Sequence, residues 1–275
     1  MTTLADISST AEVAVRLACF FGVLAAMLAW EMFVPRRRLS VSRGWRWSSN
    51  LGLVALNTVL VRFAVPVTAV AAAFAARERG WGVLHLVGWP GWGEIVLAVL
   101  ALDLAIYLQH VMFHAVPLLW RLHRVHHADL DFDVTTGVRF HTLEIVLSAV
   151  IKLAAVVVIG AAPVAVVIFE VLLNATSLFN HSNVRLPVQV DHWLRRLVVT
   201  PDMHRVHHSI VRRETDSNFG FNLPWWDFLM GTYRAQPQAG HEQMKIGLPS
   251  IRDERQADRL PAMLWMPFTP DRDAE

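Results

Sequence analysis

The chain has 275 residues, of which 54% are hydrophobic and only 17% charged, with a formal net charge of +2. Soluble domains carry about 25% charge, so this balance excludes a disordered chain and a secreted scaffold, and so small a net charge gives no sign of nucleic-acid binding. Cys19 is the single cysteine, which rules out intrachain disulfides, thiolate zinc sites and cysteine-held iron–sulfur clusters.

Residues 17–34 form an apolar run long enough to span a bilayer. What precedes it has neither a basic segment nor a cleavage signature, so it reads as a retained transmembrane helix rather than a signal peptide. Pro35 ends the run, and Arg36, Arg37, Arg38, Arg43 and Arg46 follow. Such a loop is expected in the cytoplasm, because basic residues are retained on that side. Residues 51–76 return across the bilayer, residues 77–93 form a far-side loop, and residues 94–120 re-enter. Residues 145–180 are apolar but interrupted at 160–163 by Gly-Ala-Ala-Pro. Each arm of about 15 residues spans roughly 22 Å as helix, which predicts a tight hairpin that goes in and comes back. His141 and His181 then flank the hairpin on the face where the third span ends. Residues 192–199 read as a short helix lying in the interface. The predicted architecture is an all-α integral membrane bundle of about four spans with a cytosolic, histidine-rich di-metal cap. Residues 1–275 read as one membrane-embedded domain, in which residues 234–275 are a polar tail without an evident role.

The 13 histidines are not scattered. His123, His126 and His127 form an HRVHH string, repeated as His204, His207 and His208, and His110 and His114 form HxxxH upstream. Positions i, i+3 and i+4 share one helical face, so each triplet is expected to aim three imidazoles at one point. Eight imidazoles exceed the needs of one tetrahedral ion and suit two metals with about four nitrogens each. Neutral imidazole favours Fe, Zn, Cu or Ni over Mg or Ca. The topology adds His181 and His141 as candidate ligands, whereas His85, His192 and His241 fall outside that face.

These motifs, in this order on a multipass chain, resemble the fatty acid hydroxylase/sterol desaturase superfamily. The resemblance covers residues 95–233 and includes Asp103, Tyr107, Glu144, Asn180–Asn183, Asn218, Gly220 and Asp227. It implies a non-haem centre of two iron ions, with zinc as a substitute in purified protein, that activates O2 and attacks an unactivated C–H bond of a lipid. Hydroxylation and desaturation are both implied chemistries, on sterol-like, fatty acyl or ether lipids. The chain has no GxGxxG or P-loop string, so electrons are expected from a separate ferredoxin, cytochrome or reductase. A membrane zinc hydrolase and a metal-handling protein that does not use O2 are the alternatives.

Charged residues inside apolar spans are costly and default to functional hypotheses. Asp103 shares one helical stripe with His110 and His114, and Tyr107 lies near it, so Asp103 is expected to accept the free ring N–H of a ligand histidine or to face the cavity. An ion pair between Asp103 and Arg62 is the structural alternative. Lys152 and Glu170 stand at nearly equal depth in the two hairpin arms and are expected to pair. The resemblance implies that Glu144 and Asp227 orient ligands and that Asn218 does likewise or binds weakly. Arg121, Arg124 and Arg205 flank the histidine strings and read as headgroup contacts.

Overall fold

The computed structural model describes residues 9–86, 90–271 and 273. Residues 1–8, ahead of the first predicted span, and part of the predicted far-side loop lie outside the described residues. Among those described there is no β-sheet, only isolated bridges such as Pro35 with Val184. Five helical stretches are long and apolar enough to cross a membrane, and the chain is an integral membrane protein.

The helices stop and start where local chemistry requires it. The first span, α1 (Ser9–Phe33), is followed by α2 (Arg43–Ala64). The expected continuous span over residues 51–76 is broken: Val65 leaves the helix at φ −131° and ψ 76°, ahead of Pro66, which has no N–H to donate. Thr68 restarts the chain as α3 (Ala69–Glu78), its hydroxyl accepting the Ala71 N–H at 3.1 Å. Next comes α4 (Gly91–Ala115), which ends at an extended Val116 because Pro117 disfavours helix at the residue before it. With Pro117 at its first position, α5 (Pro117–His127) begins a new direction. The predicted span over residues 94–120 is therefore two helices, with HxxxH on one and the first HRVHH on the other.

The expected hairpin is present as α6 (Thr142–Ile159) and α7 (Pro163–Asn180), 18 residues each or about 27 Å. Gly160 turns it at φ +73°, a conformation in which a Cβ is strained. Lys152 and Glu170 pair across it, and Arg16 of α1 also reaches Glu170. After the hairpin come α8 (Val188–Leu194), shifted toward the N-terminus relative to the predicted interfacial helix, and α9 (Pro201–His207). Trp193 and Leu197 beside α8 are exposed. The central helix α4 packs on α6 and α7, α1 rests on α7, and α2 rests on α6. Ala98, Leu102, Ile106, Ala165, Val166 and Phe169 form the buried core between α4 and α7.

At the end of the bundle opposite the hairpin turn, the loop after α5 is fastened by buried charge. Arg46 is fully buried, with its guanidinium 2.5 Å from both Asp129 and Asp133 and 3.1 Å from the Thr136 hydroxyl. Asp131 accepts the Ser40 and Val41 N–H groups at 2.6 and 2.9 Å. Glu31 of α1 accepts those of Val134 and Asn183 at 2.8 and 2.6 Å. Arg46, read from sequence as a loop charge that sets topology, is thus an internal clasp between α2 and the segment after the first HRVHH. Arg46→Met is expected to leave two buried carboxylates uncompensated and to cost about 3–5 kcal/mol. The thermal midpoint of the detergent-solubilised protein should fall by many degrees; an unchanged midpoint would remove the clasp from the account.

Candidate metal centre

Nine histidines converge where α4, α5, α7 and α9 meet, and they divide into two groups. His110, His114, His123, His127 and His207 form one, and His126, His181, His204 and His208 form the other. Within each group the candidate ligand nitrogens all lie within 4.8 Å of one another, and every residue is buried. The groups adjoin: the His208 ring lies 4.6 Å from the rings of both His126 and His127.

The expectation that each triplet aims at one point is corrected. In the first HRVHH, His123 and His127 enter one group and His126 the other. In the second, His204 and His208 enter one group and His207 the other. Positions i and i+4 lie about 40° apart around a helix, whereas i+3 is displaced about 60° the other way. Each string on its short helix therefore straddles both groups, giving two imidazoles to one and one to its neighbour.

Ring orientation is fixed from behind. His110 donates its Nδ1–H to the Phe219 carbonyl at 2.8 Å, and His123 to the Glu144 carboxylate at 2.6 Å. His126 donates to the Arg139 carbonyl at 3.1 Å, His181 to the Ser177 carbonyl at 2.8 Å, and His207 to the Ser217 carbonyl at 2.7 Å. His114 Nδ1 lies 3.2 Å from Asp216. Since carbonyls and carboxylates only accept, the proton in each case sits on Nδ1 and the lone pair on Nε2. Two consequences follow. The Nε2 atoms of His110 and His123 face each other at 3.1 Å, and those of His126 and His181 at 3.2 Å. Two lone pairs at that distance repel unless a cation lies between them. The Nε2 atoms of His114, His127, His207 and His208 are buried without any hydrogen-bond partner. Ligand nitrogens about 2.0–2.1 Å from a shared ion stand roughly 3 Å apart, so both groups fit a bound metal.

The electrostatics agree. Burial, then repulsion from neighbouring imidazoles, holds His126, His127, His204 and His208 well below the usual histidine value. Burial likewise pushes His181 and His207 down to about 3. Neutral imidazole is the ligating form.

His141 is not brought into either group. It caps α6, with Nδ1 accepting the Leu143 N–H at 3.2 Å and Nε2 lying 3.2 Å from the Leu264 carbonyl. Both ring nitrogens are engaged within the protein, so the face that His141 shares with the two groups does not carry its ring into either of them. His85, His192 and His241 also lie outside both groups.

Glu144 stands directly behind His123. Asp103 does not touch a histidine: it accepts the Trp226 indole N–H at 2.8 Å and the Leu223 N–H at 3.3 Å, and it does not pair with Arg62. Asp227 accepts the Phe219 and Gly220 N–H groups at 2.8 Å each and the Thr232 hydroxyl at 2.6 Å, and Tyr107 meets that hydroxyl at 2.9 Å. These three residues therefore fix the turn whose Phe219 carbonyl holds His110. Asn218, in the left-handed region at φ 53°, donates to the Met203 and Arg234 carbonyls and accepts the Arg234 N–H. Its side chain has no free donor or acceptor directed at the histidines.

Several parts of the site were missed. The backbone carbonyls behind the rings carry no side-chain signal at all. Asp216, which lies behind His114, carries no signal of its own in the sequence. Residues 254–270 lie against α5: Arg124 donates to the Thr269 carbonyl and hydroxyl at 2.8 Å, and Arg121 to the Pro267 carbonyl at 2.8 Å. Trp120, Met263 and Met266 share a buried cluster. Arg205 pairs with Asp202 and reaches the Ser182 carbonyl. These three arginines are ties within the protein rather than headgroup contacts.

Comparison with known proteins agrees with this arrangement. The chain is 30% identical over 159 residues to ornithine lipid hydroxylase OlsE of Rhizobium tropici, covering 58% of this chain and 47% of the relative. It is 29% identical over 155 residues to alkylglycerol monooxygenase of Homo sapiens, covering 55% of this chain and 32% of the relative. A very-long-chain aldehyde decarbonylase of Oryza sativa subsp. indica is 28% identical over 245 residues, covering 80% of this chain and 36% of the relative. The chain thus spans half or less of each of these relatives. No solved structure matches it significantly. The family model described as fatty acid hydroxylase matches residues 95–232, the segment that carries all nine clustered histidines, and the chain belongs to that family.

Proposed function

We propose that the chain is an O2-dependent membrane oxidoreductase that holds two iron ions and oxidises an unactivated C–H bond of a lipid, by hydroxylation or desaturation. The observation that carries this reading is a cavity of about 600 Å³ that runs from the bundle interior to His110 and His123. Its wall near those rings is apolar, with Ile106, Phe113, Val138, Phe140 and Phe221. A hydrocarbon chain fits such a wall, and no acid–base pair removes a hydrogen from unactivated carbon.

His110, His114, His123, His127 and His207 would hold one ion, and His126, His181, His204 and His208 the other. Bound iron supplies the activation of O2 that such an oxidation needs. The surrounding residues keep each imidazole neutral and aimed inward, and Glu144 fixes His123 at the cavity wall. Asp103, Tyr107, Asn218 and Asp227 hold the backbone behind the site. The electrons come from a separate ferredoxin, cytochrome or reductase. The metal face lies in the cytoplasm, on the side of Arg36, Arg37 and Arg38. Residues 1–275 work as one domain, with residues 254–270 bracing α5. The relatives named above are a lipid hydroxylase and a lipid monooxygenase among others, which supports a lipid as substrate class.

Metal content tests the ligand assignment. Iron-loaded protein should hold two ions per chain by elemental analysis, and His141→Ala should keep both. His181→Ala and His207→Ala should each lose metal, and Glu144→Ala should weaken binding by about 10–100-fold. Metal loss in His141→Ala with retention in His181→Ala would reverse the assignment.

Isotope labelling tests the reaction. Membranes holding the chain, supplied with a reducing system under 18O2, should yield a hydroxylated lipid carrying 18O or a desaturated lipid with labelled water. His207→Ala membranes should yield neither. Product oxygen drawn from solvent alone would favour a hydrolase.

A further inference from the structure

The cavity that reaches the histidines carries charge beyond Glu144, which lines it beside His123. Arg16 of α1, Arg62 of α2, Lys152 of α6 and Glu170 of α7 all line it. Three of these belong to one network: Glu170 pairs with both Lys152 and Arg16, and Arg16 also pairs with Glu12 at 2.7 Å. In that network two acids offset two bases. Arg62 is different. It sits in an apolar span, faces the cavity, and has no ion pair among the described residues. Asp103, an acid in another span that was a candidate partner, is occupied by Trp226 and Leu223. An intramembrane cation without a counter-charge in the protein, beside a cavity, calls for an anion from elsewhere.

Lys152 and Glu170 stand at one depth, away from the histidines. Lys152 lies about two helical turns along α6 from Glu144, a rise of about 12 Å. Glu170 lies roughly as far along α7 from Ser177, whose carbonyl holds His181. The Lys152–Glu170 pair thus marks the part of the cavity farther from the imidazoles.

We propose that the cavity binds a lipid bearing an anionic group, a carboxylate or a phosphate, held by Arg62. The hydrocarbon chain of that lipid runs toward His110 and His123. This rests on the cavity being the substrate site, as read above.

The test is equilibrium binding to the full chain in nanodiscs of neutral lipid, with radiolabelled palmitate, dipalmitoyl phosphatidate and hexadecanol as ligands. Wild-type protein should bind at least one of the two anionic ligands about tenfold or more tightly than hexadecanol. Preference for palmitate alone identifies a carboxylate, and preference for phosphatidate alone a phosphate. Arg62→Gln should bring all three within about twofold, and Arg62→Lys should keep the preference. Equal binding of the three ligands by wild-type protein would overturn the proposal, as would an undiminished preference in Arg62→Gln. The comparison of charged with neutral ligands is made on wild-type protein, so it decides even if Arg62→Gln fails to fold. It reads binding rather than turnover. Labelled product without a charge preference would therefore sink this proposal alone, and a charge preference without labelled product would sink only the oxidation reading.

Discussion

Imidazole nitrogens with unshared lone pairs, packed against one another out of reach of water, are the constraint that organises this molecule. Left alone, such an arrangement is unfavourable, because each Nε2 has lost its hydrogen bond to solvent. Buried polar atoms in folded proteins nearly always have partners. Here the unpartnered nitrogens of His114, His127, His207 and His208 are gathered in one place. The fold spends its polar groups on keeping the rings so placed. Backbone carbonyls of Arg139, Ser177, Ser217 and Phe219 take the outward protons, and burial keeps the rings neutral. Bound metal and folded protein should therefore be strongly coupled.

The division of each HRVHH string between two groups explains the rest of the cap. Because α5 and α9 each serve both groups, a shift of either helix would disturb both at once. Both helices are accordingly fixed at several points outside the site. Arg46 ties α2 to the loop after α5, and Arg121 and Arg124 tie α5 to the chain near its C-terminus. Arg205 ties α9 to Ser182, next to His181, and Asp202 of α9 pairs with Arg36. Gly137 passes so close to His181 that a Cβ there would stand 3.2 Å from the ring. The membrane helices then bring α4 and α7 to the same end of the bundle and leave the cavity that reaches His110 and His123.

Much of this was legible in the sequence, for identifiable reasons. The two HRVHH strings and HxxxH need only helical spacing to signal a metal site, and the interruption at 160–163 marks the hairpin. Lys152 and Glu170 were legible as a pair because equal distance from a turn fixes equal depth. The partition of ligands was not, since it depends on how α5 and α9 cross, which no local pattern records. His141 shows the limit of topology: it lies on the right face, but as an N-cap residue it turns its ring to the Leu143 N–H. Asp103 shows the limit of helical periodicity, which put it on the stripe of His110 and His114 but could not foresee that residues 223–226 fold back over it. The breaks before Pro66 and Pro117 were visible as residues, but hydropathy alone carried the predicted spans through them.

The central claim is that two ions sit side by side within this imidazole shell. Anomalous scattering at the iron edge from crystals of iron-loaded protein tests it most directly. The account predicts two peaks, one ringed by the nitrogens of His110, His114, His123, His127 and His207, the other by those of His126, His181, His204 and His208. A single peak, or a peak coordinated by His141, would contradict it.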